Sequence, residues 1–353
     1  MSATTKVLVF VVLSVVALAV DARPVYSRHP QPNILTGLDY EAAGVTIYLR
    51  PEAWTDPALS AYVRATCSRF QAMARHIDLL LASQGARLVA GIGFSSHAWR
   101  QWGKSSAPPM GMMDFPGYAG PDGWPVMEPT GGDVFLHIKS SRRDAIHRLV
   151  TDFVGLLAAS GRDLVERIDS VDAWRNILDG QNRDLTGYVD GTTNCPAQEA
   201  VSMGLISADV DPYHANGSFA IGQRWVHNLA AFDAMNVSSQ DAVFGRTKAK
   251  SQALPYPPPD AHVVRVRQSD FGYFIVRQAM PWGDAAKGNA GLFFIAYSND
   301  ARRLGQMCLS MVGQGTHATR AGPYDAIMRF SVPVTNNFWY FPSMELLDDM
   351  GRG

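Results

Sequence analysis

Val45-Thr46-Ile47-Tyr48-Leu49, entered from Gly44, is a run of β-branched, aromatic and aliphatic residues and reads as a strand. Past the breaks at Pro51 and Pro57, apolar residues recur at Val63, Cys67, Phe70, Ala74, Ile77 and Leu81, and that three-to-four spacing predicts an amphipathic helix. Strand-like runs follow at 87–94 and 133–138. Between them lies a Gly/Pro/Met-rich loop with Pro108, Pro109, Gly111, Pro116 and Gly120, which reads as an insertion rather than a domain boundary. A helix over about 142–157 and a strand at 164–171 complete the order strand-helix-strand-strand-helix-strand, which is ferredoxin-like.

The second half repeats that order without obvious sequence identity. Strands are expected at 218–226, 272–276, 292–297 and 338–341, with helices within 229–245 and at about 300–311. The expected fold class is therefore α+β: two ferredoxin-like domains with antiparallel sheets, barrel-like, at 44–182 and 206–345, joined by the connection 183–205. The proline-rich stretch 255–259 reads as a rigid insert in the second half.

The chain has 353 residues, 47% hydrophobic and 18% charged, enough for two buried cores. Its 31 basic and 32 acidic residues leave a net charge of −1, so no nucleic-acid or anionic-membrane partner is expected. At the front, Lys6 precedes an apolar stretch at 7–20, 14 residues against the roughly 20 a spanning helix needs. With Ala22 offering a small residue for cleavage, residues 1–22 read as a secretory signal, and a secreted or periplasmic location is expected. Cys67, Cys195 and Cys308 form no CxxC pair; Cys67 and Cys308 read as small buried apolar residues on helices.

The connection contains Gly187-Tyr188-Val189-Asp190-Gly191-Thr192-Thr193-Asn194. Alone, Asp190 reads as a turn residue bonding its own backbone. His262 alone reads as a core histidine, and Arg277 at a strand end as a surface charge. Together they offer an axial imidazole, a fixed cation and a carboxylate in one chain, which is what peroxide chemistry at a haem iron needs.

These residues carry a resemblance. In type, order and approximate spacing, GxxDG at 187–191, His262 and Arg277 resemble the dye-decolorising peroxidases, closest to the bacterial B-type subgroup. Further matches are Gly131-Gly132-Asp133 before a strand ending in His137, Gly217-Ser218-Phe219 leading to His227, Gly245-Arg246-Thr247-Lys248, and Phe293-Phe294-Ile295-Ala296-Tyr297. The similarity runs over roughly residues 31 to 345. It implies one haem b per chain in the C-terminal half, with His262 as axial iron ligand, Asp190 and Arg277 on the opposite face, and Arg246 at a propionate. It also implies hydrogen peroxide and dye-like or phenolic reductants as substrates, and, since family members commonly self-associate, a homo-oligomer by analogy.

Two departures stand against the match. The family follows its distal arginine with Asp-Asn, whereas this chain has Gln278-Ala279, so a distal amide is missing. The family also supplies an aspartate to hydrogen-bond the axial histidine. In an ungapped match of Tyr324-Asp325-Ala326-Ile327-Met328-Arg329-Phe330, Arg329 takes that acid's place, with Asp325 one turn away as the substitute if the register slips. These departures motivate a second expectation: an exported haem-binding, haem-transfer or iron-releasing protein with weak or no peroxidase activity. His76, His147 and His227 are expected to be packing or surface groups, and Trp225, Trp282 and Trp339 are candidate surface oxidation sites for bulky dyes.

Overall fold

The computed structural model describes residues 28–103, 107–315 and 321–352. The segment 1–22 expected to be a secretory signal lies outside the described residues. No described helix is long and apolar enough to cross a membrane.

The chain opens on a short helix, α1 (Pro32–Leu35), and strand β1 (Glu41–Leu49). Helices α2 (Pro57–Ser68) and α3 (Phe70–Ala82) come next. Asp56 starts α2 by accepting hydrogen bonds from the Ala58 and Leu59 amides, with Pro57 preset at the first helical position. The single helix expected from 63 to 81 is thus two, because at Arg69 the backbone N–H tightens onto the carbonyl of Thr66. Strands β2 (Leu88–Phe94) and β3 (Val134–Ser140), helix α4 (Arg143–Ala158) and strand β4 (Val165–Trp174) finish the first half. Its strand order is β4-β1-β3-β2, all antiparallel.

The second half contains β5 (Ser218–His227), α5 (Val237–Phe244), α6 (His262–Arg265), β6 (Val276–Arg277), β7 (Met280–Asp284), β8 (Asn289–Ser298), α7 (Ala301–Met311) and β9 (Ser331–Phe341). Here the order is β7-β8-β5-β9, with β6 continuing the β7 edge of β8. The strand expected at 272–276 shrinks to Val276–Arg277, since residues 268–271 coil into a helical turn closed by Gly272 at φ +70°. Two edge pairings, Trp282 with Ala173 and Tyr340 with Phe94, join the sheets, so the eight long strands close into one antiparallel barrel.

Period-two alternation sorts each strand between two cores. Phe135, Phe293, Ile295, Tyr297, Trp339 and Phe341 fill the barrel interior, whereas Leu136, Ile138, Val63, Phe70, Leu149 and Phe153 belong to the core under the helices. Trp339 and Trp225 are therefore buried, at 2% and 6% exposure, and only the half-buried Trp282 of the three candidate surface tryptophans reaches solvent. From Phe338 to Phe341 both faces of β9 are covered, so no alternation in that stretch announces which way Trp339 points.

One end of the barrel is plugged by polar groups. The Nζ of buried Lys139 donates to the carbonyls of Asn33 and Thr36 and to Oε1 of Gln278, and burial pulls its pKa down to about 7. Gln278 Nε2 donates back to the carbonyls of Asn33, at 3.1 Å, and Ile34, at 2.7 Å. Asn33 reaches Tyr297 Oη at 2.7 Å across the space over Gly91, where an added Cβ would lie 1.9 Å from Asn33 Oδ1. Gly91→Ala is expected to cost roughly 1–3 kcal/mol by overpacking, read as a lowered thermal midpoint.

Candidate active site

A cavity lies on the outer face of the second-half sheet, with about 1390 Å³ of atom-free space counting its open mouth. Alternation places Ile221, Gln223, Trp225 and His227 of β5, and Leu292 and Phe294 of β8, on its floor. Helix α7 contributes Leu304, Met307, Cys308 and Met311, one face at i, i+3, i+4 and i+7. Cys67 and Cys308 are buried, and all three cysteines are free.

His262, Arg246, Asp190 and Arg277 all line this one cavity. His262 sits at the start of α6. Its Nδ1 donates to Oδ2 of Asp325 at 2.7 Å, and the carboxylate, fully buried, also accepts from the Ile327 amide at 3.1 Å. A carboxylate only accepts, so Nδ1 carries a proton, and Nε2 is left without a partner among the described residues. Burial alone lowers the His262 pKa, but the charge and hydrogen bond of Asp325 outweigh it and the net shift is upward.

Arg329 does not stand in the acid's place. It pairs with Asp260 at 2.9 Å, and the Asp260 carbonyl accepts from the Ala326 amide at 2.8 Å. These bonds zip the segment before His262 to the segment after Asp325, and the turn from Asp325 into the 3₁₀ helix Ala326–Arg329 carries the arginine outward. Asp325, not Arg329, is therefore the partner of His262.

On another wall, residues 183–189 form a narrow loop closed by a bridge between Arg183 and Val189, and Asp190 follows it with its amide on the Asn182 carbonyl. Burial raises the Asp190 pKa. Arg277 pulls it down and Asp184 pushes it further up, and the net shift is upward. Arg277 is fixed by its backbone: Asn194 Oδ1 accepts from its N–H at 2.9 Å and Asn194 Nδ2 donates to its carbonyl at 2.8 Å. Burial lowers the Arg277 pKa, opposed by Asp190. Alternation along 277–279 turns Arg277 and Ala279 to the cavity and Gln278 to the barrel plug. The missing amide is thus a methyl on the cavity wall.

His227, expected as a packing or surface group, instead shares the cavity with Asp184. Its ring nitrogens meet Ser331 Oγ at 2.7 Å and Asp184 Oδ1 at 3.2 Å. Burial would raise the Asp184 pKa, but His227 and the Thr186 donors hold it down, so the carboxylate stays ionised while it shapes the loop leading to Asp190. Asp184 stood three residues before the GxxDG motif, and no spacing rule ties it to His227. Arg246 Nη1 donates to the Ser251 carbonyl at 2.8 Å, while its Nε and that of Arg277 are buried without a hydrogen-bond partner among the described residues.

An α+β barrel with one cavity that sets a carboxylate-backed imidazole, an aspartate and a buried arginine around a largely apolar space is the architecture of a cofactor-binding protein. Residues 31–162 match the N-terminal and residues 181–346 the C-terminal model of the Dyp-type peroxidases, and the chain belongs to that family. It is 34% identical over 227 residues to the dye-decolorizing peroxidase of Brevibacterium linens, a match spanning 62% of this chain and 58% of that protein. With the Mycobacterium tuberculosis dye-decolorizing peroxidase it shares 33% identity over 224 residues, 62% of this chain and 63% of the relative. Among solved structures, the dye-decolorizing protein from V. cholerae is similar at TM-score 0.75 and 29% identity, over 90% of this chain and 98% of that one. A Rhodococcus jostii variant in complex with haem is similar at TM-score 0.78 and 26% identity, over 91% and 99%.

Proposed function

We propose that this chain is a haem-dependent peroxidase of the B-type, holding one haem b in the described cavity and reducing hydrogen peroxide while oxidising dyes, phenols or similar reductants. The observation that carries the reading is the unpartnered Nε2 of His262, backed by Asp325, in the same cavity as Asp190 and Arg277. The residues present fit the group. Ile221, Leu292, Phe294, Leu304, Met307 and Met311 suit the faces of a macrocycle, and the orphaned guanidinium nitrogen of Arg246 suits a propionate. When bound, haem supplies the iron redox chemistry that cleaves an O–O bond.

The protein supplies the rest. His262 Nε2 would hold the iron, and Asp325 would fix its tautomer and make it a stronger donor. Asp190, with its raised proton affinity, takes the proton from one peroxide oxygen and returns it to the other. Arg277, held by Asn194, stabilises the charge that develops on the departing oxygen. Asp325 removes one of the two motives for an inert haem-binding protein, and Ala279 keeps the other open. Loading the purified chain with haem and following peroxide-dependent bleaching of a dye tests the reading. A Soret band with no turnover selects the haem-binding alternative, and no Soret band defeats both.

The Asp325 contact makes its own prediction. Asp325→Asn should keep haem but raise the iron reduction potential by about 60 mV or more, tenfold for one electron, because the anionic partner of the imidazole is gone. Spectroelectrochemical titration measures it. An unchanged potential would show that the carboxylate does not tune the ligand.

A further inference from the structure

Beside Arg277, Ala279 offers only a methyl group, and the amides that line the cavity are committed elsewhere. Gln223 gives its Nε2 to Asn336 Oδ1 at 2.7 Å and its Oε1 to the Trp225 indole at 3.2 Å. Gln268 bonds the Thr193 carbonyl through Nε2 and accepts from the Ile275 amide at 2.6 Å. Among the hydroxyls, Tyr188 is bound to Asp241 at 2.6 Å and Ser331 to His227. Thr192 is exposed and makes no bond to Arg277.

Thr193 differs from all of these. Its Oγ1 accepts from Arg277 Nη2 at 3.0 Å, in the wall of the cavity. Gln268 holds its carbonyl, and Asn194, the next residue, holds the backbone of Arg277 from both sides, so hydroxyl and guanidinium are set relative to one another by four hydrogen bonds. The oxygen's accepting side is taken by a cation. The O–H then has no acceptor among the described residues, and accepting from a cation makes it a better donor.

We propose that Thr193 is a further catalytic residue, donating its hydroxyl proton in a hydrogen bond to hydrogen peroxide beside Arg277 and so fixing the peroxide's orientation toward Asp190. This rests on the peroxidase reading. It also gives the cavity a small polar donor next to the position where Ala279 has none.

The test compares Thr193→Val, which keeps the shape and removes the hydroxyl, with Thr193→Ser, which keeps the hydroxyl, in the haem-loaded full chain. Two quantities are read: the second-order rate of reaction with peroxide, and the affinity of the resting protein for fluoride, a compact anion that accepts hydrogen bonds, by absorption titration. Thr193→Val is expected to lower both by about tenfold, and Thr193→Ser to restore both to within about twofold, the size of one lost hydrogen bond. Equal values for wild type and Thr193→Val overturn the proposal. So does a loss that Thr193→Ser fails to restore, since the residue would then act only through packing. The fluoride arm reads Thr193 even if wild type turns over no peroxide, which separates failure of this inference from failure of the peroxidase reading. A chain that takes up no haem overturns both.

Discussion

His262→Ala is expected to leave a folded protein that retains almost no haem. The cavity walls that would hold the group are apolar side chains from β5, β8 and α7, which give area but little direction. The directional bond to iron would come from Nε2 of His262, and Asp325 on the far nitrogen orients that ring before any cofactor arrives. Losing the imidazole also strips the fully buried Asp325 carboxylate of one partner, at a cost to stability of about 1–3 kcal/mol, with the Ile327 amide still in place. Haem per chain after desalting, read from the Soret absorbance, is the first measurement. Adding free imidazole to the variant is the second, and it should recover part of the haem by refilling the axial position. Full haem content with an unchanged coordination spectrum in His262→Ala would place the ligand elsewhere.

The fold was legible where one face of an element is polar. The spacing along 142–157 and the β-branched run at 45–49 each match a helix or strand in the structure, and the spacing along 63–81 marks the buried face of two consecutive helices. It was not legible where pairing, rather than composition, makes the strand. Met280–Asp284 contains Pro281 and Gly283 and was not among the expected strands, yet its five residues pair with β8 over their whole length. The site divides in the same way. Asp190, His262, Arg246 and Arg277 were picked out by the order and approximate spacing in which they resemble the family, and the cavity does bring the four together. An ungapped match counts residues, so it put Arg329 in the acid's place and left Asp325 as the substitute if the register slips, whereas the structure is set by the N-cap of a 3₁₀ turn and the Arg329–Asp260 pair. His227 and Asp184 come from a β strand and a loop 43 residues apart, and nothing local in either segment marks them as neighbours.

Arg277→Leu is expected to slow reaction with peroxide by about 10²–10³, the usual effect of removing one preorganised donor at a developing charge. Asp190→Asn should cost less at neutral pH. Arg277 carries a permanent charge and is held by Asn194 and Thr193, and no solvent molecule reproduces a fixed cation at that place. Asp190 is proposed to move a proton, a task that water shares. The pH dependence separates the two roles. The Asp190 pKa is raised, chiefly by burial, and the carboxylate must be ionised to accept a proton. The wild-type rate should therefore fall as pH drops through that raised pKa. In Asp190→Asn this acidic limb should vanish, leaving a lower and flatter profile, while Arg277→Leu should keep the limb and lose rate at every pH. Haem content should stay at the wild-type level in both, because neither residue is the iron ligand. Stopped-flow mixing with peroxide across the pH range measures all of this. A larger loss in Asp190→Asn than in Arg277→Leu would make the carboxylate the principal catalyst and reverse the order of the two residues.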